Sequence, residues 1–302
     1  MHLLLDRQGI KEYFFSKYVG PTGVIRYILT RRPFPCYSER GKARRAPFLQ
    51  KHGLRRYPKR GPRMNIYEIG SMAEKLASNS YPGRGIVLGV TPDGTKSVAA
   101  YFIMGRSVNS RNRVFIEEAD GIRTEAHDPS LMQDPSLIIY HPVREIARSL
   151  IVTNGDQTDT IRDGMERGET FEAALRTRKF EHDGPNWTPR ISGLVMPSGD
   201  YKMSILKAAD PEGSACTRFC WEYPGLAGLG HFLHTYVCDG NPIPTFQGEP
   251  ERVAMNDDID AFTAELWDNL NADNKISLFV RYTDLATRKF EQRIINKHTP
   301  AN

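Results

Sequence analysis

From residue 64 onward the chain switches between two hydrophobic periods, and the switches define its elements. Residues 66–78, IYEIGSMAEKLAS, set apolar side chains at helical spacing and stop at Asn79 and the turn YPGRG, which predicts a short amphipathic helix. Residues 85–106, GIVLGVTPDGTKSVAAYFIMGR, are two β-rich runs around Pro92, Asp93 and Gly94, the pattern of a hairpin. RVFIEEAD, SLIIYHPVREI and SLIVTNG follow as further strands. Residues 158–180 then return to helical spacing, as two helices with Thr170 capping the second. Strands resume with RISGLVMP, YKMSILKAA, TRFCWEYP and GHFLHTYV. After these, DIDAFTAELWDNL is an amphipathic helix with aspartates at its N-terminus, as the helix dipole favours. KISLFVRYTD and KFEQRIINK close the pattern as strands. Hairpins dominate and strand-helix-strand alternation is absent, so the expected class is α+β, with mostly antiparallel sheets and helices outside them.

Charge divides the 302 residues in two. Residues 1–63 carry 16 Lys+Arg against 3 Asp+Glu, a net of +13, whereas the remainder carries 25 against 33, a net of −8. The first segment is rich in arginine, proline and glycine and short of sustained periodicity, which predicts disorder. A basic tract also attracts phosphate without sequence specificity, so a nucleic-acid-binding arm is a weaker alternative reading. No positively charged leader, apolar core and cleavage site follow one another as a targeting peptide requires. Met64 directly follows GPR where the globular pattern begins. Translation is therefore expected to start there, which would make residues 1–63 an artefactual extension and residues 64–302 a single domain. No run approaches the ~18 apolar residues of a membrane span, so no membrane partner is expected.

Four cysteines make no disulfide framework and fit a reducing cytoplasm. Cys216, Cys220, His231, His234 and Cys238 invite a zinc reading. The spacings C-x3-C and H-x2-H suit a closed site poorly, and strand alternation in GHFLHTYVC sends the two histidines to opposite faces, so no metal is expected.

Polar residues crowd at four strand ends: YPGRG, GRSVNSRNR, VTNGDQTDT and DGPNWTPR. Three contain arginine, whose planar fork captures phosphate or carboxylate. GRSVNSRNR holds three arginines and two asparagines just after an apolar strand, a composition suited to anions. No phosphate-loop lysine or G-x-G-x-x-G accompanies it, so the standard nucleotide folds are not supported. In VTNGDQTDT, Asn154, Asp156, Thr158 and Asp159 occupy a strand-to-helix turn, where they can cap the helix or bind a ligand. No serine, histidine and aspartate order or cysteine and histidine pair points to covalent catalysis.

At these clusters the sequence resembles the archaeal-type IMP cyclohydrolase family, including its bacterial relatives. YPGRGIVLG, MGRSVNSRNRVF, DPSLIIYHPVR, VTNGDQTDTI and NWTPRISG occur in that order over residues 81–193. The resemblance implies closure of a 5-formamido-imidazole-4-carboxamide ribonucleotide to inosine monophosphate with loss of water, the last step of purine synthesis, with no cofactor. It also implies a four-layer αββα sandwich resembling the N-terminal nucleophile hydrolases without their self-processing. Tyr81-Pro82-Gly83 supplies no Ser, Thr or Cys at the start of the first strand, which agrees with the last point.

For that reaction, Arg84, Arg106, Arg113 and Arg190 are candidate phosphate ligands. Asn112, Asn154 and Thr158 are candidates to hold base and ribose, and Asp156, Asp159 and Thr188 are further candidate substrate-binding residues. The leaving formyl oxygen needs a proton donor, for which Tyr140 is the candidate, and Glu118, Glu181 and Asp183 compete as the carboxylate that handles the amide proton. A relative that binds purine nucleotides without catalysis, or acts on another substrate, is the alternative reading. The segment beyond Gly193 is longer than the smallest archaeal members need, which offers hairpins and a helix for a homo-oligomer interface or a cover over the site.

Overall fold

The computed structural model describes residues 65, 67–132 and 139–298 with their side chains, together with the backbone of four strands near the N-terminus. The chain separates into two units, Met1–Arg63 and Met64–Asn302. In the first, β1 (Leu4–Asp6) pairs antiparallel with β2 (Gly9–Lys11), and β3 (Tyr13–Val19) with β4 (Ile25–Arg31). Expectations for the rest of this segment lie outside the described residues.

The second unit opens with α1 (Met72–Ser78), shorter than the periodicity of 66–78 predicts. Gly70 is drawn instead into a bridge with Val253: its N–H donates to Arg252 O and its carbonyl accepts from Ala254 N, both at 3.0 Å. Helix can begin only after that bridge, and the Ser71 hydroxyl caps it by accepting from Glu74 N. The predicted hairpin follows as β5 (Arg84–Val90) and β6 (Lys96–Met104). A single-turn helix α2 (Val108–Arg111) leads into β7 (Val114–Glu118) and β8 (Gly121–Glu125), the latter a short strand that periodicity did not separate. SLIIYHPVREI is strand only over β9 (Val143–Ile146); residues 133–138 are outside the described set, and Pro142 has no N–H for a ladder. Then come β10 (Ser149–Thr153), α3 (Gln157–Glu166) and α4 (Phe171–Leu175), the last capped by Thr170 as expected. β11 (Arg190–Val195), β12 (Tyr201–Ala208), β13 (Cys216–Tyr223) and β14 (Leu229–His234) follow. The chain continues through β15 (Glu251–Ala254), α5 (Ile259–Asn269), β16 (Lys275–Asp284) and β17 (Phe290–Asn296).

These strands make two antiparallel sheets, in the orders β15-β14-β5-β6-β16-β17 and β13-β12-β11-β10-β9-β8-β7. Side-chain alternation shows how they stack. On β5 and β6, Ile86, Leu88, Ala99, Tyr101 and Ile103 join Val152, Ile191, Met203 and Ile205 of the other sheet in one core. Val87, Ala100 and Phe102 face the opposite way, onto Met72 and Leu76 of α1 and Phe262 and Leu266 of α5. Ile151, Leu194 and Leu206 likewise leave the inter-sheet core for Ile161 of α3 and Phe171 and Leu175 of α4. Three cores separated by two sheets are compatible with a helix-sheet-sheet-helix sandwich. A register shift between Lys275 and Ser277 turns Ile276 into the inter-sheet core while Leu278 and Val280 keep the helix side. No described helix is long and apolar enough to cross a membrane.

Candidate active site

One end of the sandwich gathers the start of β5, the loop after β6, the end of β14 and the loop between α4 and β11. Their side chains line a cleft of about 260 Å³, formed by Tyr81, Arg84, Arg106, Ser107, Asn109, Ser110, Arg113, Glu181, Asp183, Asn186, Thr188, Tyr236 and Ile243. YPGRG builds the first wall by close backbone approach. Pro82 O accepts from Tyr236 N and Thr235 Oγ1, both at 3.2 Å, and Arg84 N donates to Thr235 Oγ1 at 3.1 Å. Gly83 sits between them at φ +79°, where a Cβ would stand 2.3 Å from Thr235 Oγ1, so only glycine fits. The rings of Tyr81 and Tyr236 stack at 5.9 Å, and the Arg106 guanidinium lies 5.1 Å from the Tyr81 ring centre. Arg106 is tethered there by Asp239 and by Gly240 O at 2.9 Å.

Two arginines form the floor. Arg84 and Arg113 are buried, and Nε of the first and Nε and Nη1 of the second find no acceptor among the described residues. Burial lowers the Arg84 guanidinium, but Glu181 and the phenols of Tyr236, Tyr81 and Tyr140 outweigh it and raise the group above its ordinary value. Arg113 goes the other way: burial and the neighbouring Arg84 charge lower it. The floor is thus a low-dielectric pocket that holds two guanidinium groups side by side.

Glu181 faces that floor. Its backbone N–H donates to Thr188 O at 2.9 Å, and burial raises its carboxyl in spite of Arg84, Arg190 and Arg113. Asp183 accepts from Thr188 N at 2.7 Å and from the Thr188 hydroxyl, which in turn shares a 2.6 Å hydrogen bond with the Tyr236 phenol. Burial pushes Tyr236 up to about 12. Behind the arginines, the hydroxyls of Tyr140 and Tyr101 lie 3.0 Å apart, and burial and the Tyr140 neighbour raise Tyr101 well above an ordinary phenol. Of the sequence-predicted residues, Arg84, Arg106, Arg113, Glu181, Asp183 and Thr188 therefore meet in one cleft, with Tyr140 against its floor.

The other candidates are held elsewhere. Asn112 closes a loop, its Nδ2 donating to Asp128 O at 2.7 Å and its Oδ1 accepting from Asp128 N at 2.6 Å. Asn154 is buried with both side-chain polar atoms bonded: Nδ2 donates to Pro189 O at 2.8 Å, and Oδ1 accepts from Ile191 N at 2.8 Å and Gln157 Nε2 at 3.0 Å. The Thr158 hydroxyl is 2.6 Å from that of Thr153. Arg190 joins Gln157 Oε1 and Asp156 Oδ1, both at 2.7 Å, and Arg178 also reaches Asp156. Asp159 lies 2.9 Å from Arg144 Nε and 3.4 Å from His141 Nδ1. Glu118 pairs with Arg123 at 2.8 Å and His141 at 3.2 Å, at the far end of β7, roughly 16 Å along a strand from Arg113.

Tyr81, Asn109, Asn186, Tyr236 and Tyr101 were not singled out from sequence. Tyr81, Asn109 and Asn186 lie inside the polar strand-end clusters, where nothing in the sequence separates them from their neighbours. Tyr236 and Tyr101 sit in ordinary strand patterns and carry no local signal; only the pairing of β14 with β5 and of β5 with β6 brings them in.

A family model described as IMP cyclohydrolase-like protein matches residues 81–288, more than half of the chain and the whole of this cleft. An IMP cyclohydrolase of Methanopyrus kandleri is 33% identical over 147 residues, covering 44% of this chain and 72% of that protein. One from Methanococcus aeolicus is 28% identical over 162 residues, covering 52% and 75%. One from Halobacterium salinarum is 31% identical over 132 residues, 42% of this chain and 63% of its own length.

Proposed function

The chain belongs to the IMP cyclohydrolase-like family, and from that premise we propose that it is an IMP cyclohydrolase acting in cytoplasmic purine synthesis. It closes a 5-formamido-imidazole-4-carboxamide ribonucleotide to inosine monophosphate and water, on a sandwich of the N-terminal nucleophile hydrolase type that does not process itself. The observation that carries the reading is a pair of buried arginines whose Arg84 Nε, Arg113 Nε and Arg113 Nη1 have no acceptor among the described residues, beside a carboxyl that burial raises. A permanently anionic nucleotide fits the first, and a proton transfer fits the second.

The roles divide by charge. Glu181 lies near both Arg84 and Arg113 and burial opposes its ionisation, so the pair stays cationic, and Arg113, with Arg106 at the rim, takes the 5′-phosphate. The stacked Tyr81 and Tyr236 rings form one aromatic wall for the imidazole to pack against, and the Asp183, Thr188 and Tyr236 chain fixes that wall. Ring closure forms a bond from the carboxamide nitrogen to the formyl carbon. The carboxamide nitrogen and the formamido nitrogen each give up one proton, the formyl oxygen takes up two and leaves as water as its bond to carbon breaks, and a C=N double bond remains in the new ring. Glu181, whose carboxyl burial raises, donates to that oxygen and recovers a proton from the nitrogen side. The reacting groups belong to one molecule, so folding the substrate into a close contact supplies several kcal/mol of the barrier reduction. Tyr140, bonded to Tyr101 behind the arginines, polarises the floor.

The test is an ultraviolet absorbance assay of the full chain with the formamido ribonucleotide, following formation of the purine ring. Turnover is the expected result. A folded protein that binds inosine monophosphate and gives no turnover would replace the catalytic reading with the binding one.

A further inference from the structure

Two open sheets have four edges, and the described structure protects three of them. The outer edge of β15 is bridged by Gly70, through Gly70 N to Arg252 O and Ala254 N to Gly70 O. β7 and β17 lie side by side: Asn296 Oδ1 accepts from Phe115 N at 2.8 Å, its Nδ2 donates to Phe115 O at 3.0 Å, and Gln292 Nε2 donates to Glu117 at 2.6 Å. The fourth edge, β13, is eight residues long and among the described residues is met only at its start, where its own Arg218 donates from Nη1 to Cys216 O at 3.3 Å. Long uncovered edges are templates for another strand.

Which of its backbone groups point outward follows from one bond. Ala209 N donates to Ala215 O at 3.0 Å, so odd-numbered residues of this hairpin exchange hydrogen bonds with β12. Cys216, Arg218, Cys220 and Glu222 therefore turn their N–H and C=O groups to the open side. Phe219 is 43% exposed on the strand, stacked on Trp221 at 5.9 Å.

We propose that this edge is a homodimer interface, in which a second copy of the chain adds its own β13 antiparallel about a two-fold axis at Cys220. The strand is self-complementary only in that register. Arg218 falls opposite Glu222 on one face, twice, and Phe219 opposite Trp221 on the other, twice, with Cys220 facing its own copy. Moving the axis to Phe219 sets Glu222 against Cys216, and moving it to Trp221 sets Glu222 against Cys220; both lose the charge pairs. An axis between two residues would oppose side chains from different faces, which the pleat forbids. Arg218 donates from Nη1 to Cys216 O of its own edge at 3.3 Å and from Nη2 to Arg178 O at 2.7 Å, and Glu222 lies 3.2 Å from Lys202 Nζ, so pairing with a second copy exchanges the Cys216 bond for the Arg218–Glu222 contact. Pro224, without an N–H, ends the ladder.

The test is light scattering and sedimentation of the full chain at tens of micromolar. A dimer is expected. Arg218→Glu, which sets Glu against Glu twice, weakens it at least tenfold, and Arg218→Glu with Glu222→Arg restores it to within threefold. Cys220→Pro removes an outward N–H and no bond to β12, so it gives a monomer with ring-closing activity intact. A monomeric native chain overturns the proposal. So does an oligomer that neither substitution weakens, or a double reversal that stays dissociated. A monomer whose melting point Cys220→Pro lowers would place a segment of the same chain on the edge, and would equally exclude the second copy.

Discussion

The cleft and the VTNGDQTDT turn hold similar densities of polar side chains, both buried at strand ends, yet they differ in one respect. In the turn, Asn154, Gln157 and Thr158 spend their donors and acceptors on one another and on the backbone of residues 155–191. In the cleft, Arg84 and Arg113 keep buried N–H groups that nothing in the described protein accepts. A satisfied network rigidifies a fold, while an unsatisfied one costs stability and is kept where a ligand completes it. The turn is thus read as architecture that aims Arg190 and β11, and the cleft as the place where chemistry happens.

Substitutions separate the two. The largest effect is expected from Arg113→Met, which removes one of the two buried cations: kcat/KM falls about a thousandfold, or ~4 kcal/mol, while the melting temperature holds or rises because a buried charge beside another of the same sign has gone. Steady-state kinetics and calorimetry on one preparation check both halves. Asn154→Ala shows the reverse. It leaves two backbone groups and the Gln157 amide short of partners, lowering stability by about 3 kcal/mol and the melting temperature by roughly 9 °C, with kcat/KM changed less than about fivefold.

Glu181→Gln lowers turnover about a hundredfold. Burial raises this carboxyl above its ordinary 4.5, so its contribution to stability is whole below that pH and is lost as pH rises through the raised value. The glutamine variant is therefore more stable than the native chain at neutral pH, a gap that closes in acid. The smallest effect is expected at Glu251, away from both regions, where hydrogen bonds from His234 and Lys75 hold the carboxyl down at about 2. Its stabilisation is present above pH 4.5 and fades as pH falls from there toward 2. Screened at a half-exposed site it amounts to less than about 1 kcal/mol, measured by urea unfolding of Glu251→Gln across that range.

The elements with strong periodicity were legible in the sequence: the β5-β6 hairpin, α3 and α4, and β11 through β14 followed the pattern closely. What failed was short or bridged. Residues 66–71 read as helix because their apolar spacing is helical, but a tertiary bridge at Gly70 overrides that preference. β8 and β15 are five and four residues long, too short for alternation to stand out. In the site, arginine-rich strand ends were visible as anion-binding candidates. Composition could not tell that Asn112, Asn154 and Thr158 were already committed to the backbone, because satisfaction is a property of geometry. Nor could it choose among Glu118, Glu181 and Asp183: only the folded chain puts Glu118 in an ion-pair network with Arg123 and His141 and leaves Glu181 in the cleft.

The division between an unsatisfied binding cleft and a satisfied supporting turn is tested most directly by the thermal shift that inosine monophosphate produces in the native chain, Asn154→Ala and Arg113→Met. The same upward shift is expected in the first two, from a lower starting temperature in Asn154→Ala, and none in Arg113→Met. A full shift in Arg113→Met, or its loss in a folded Asn154→Ala, would contradict it.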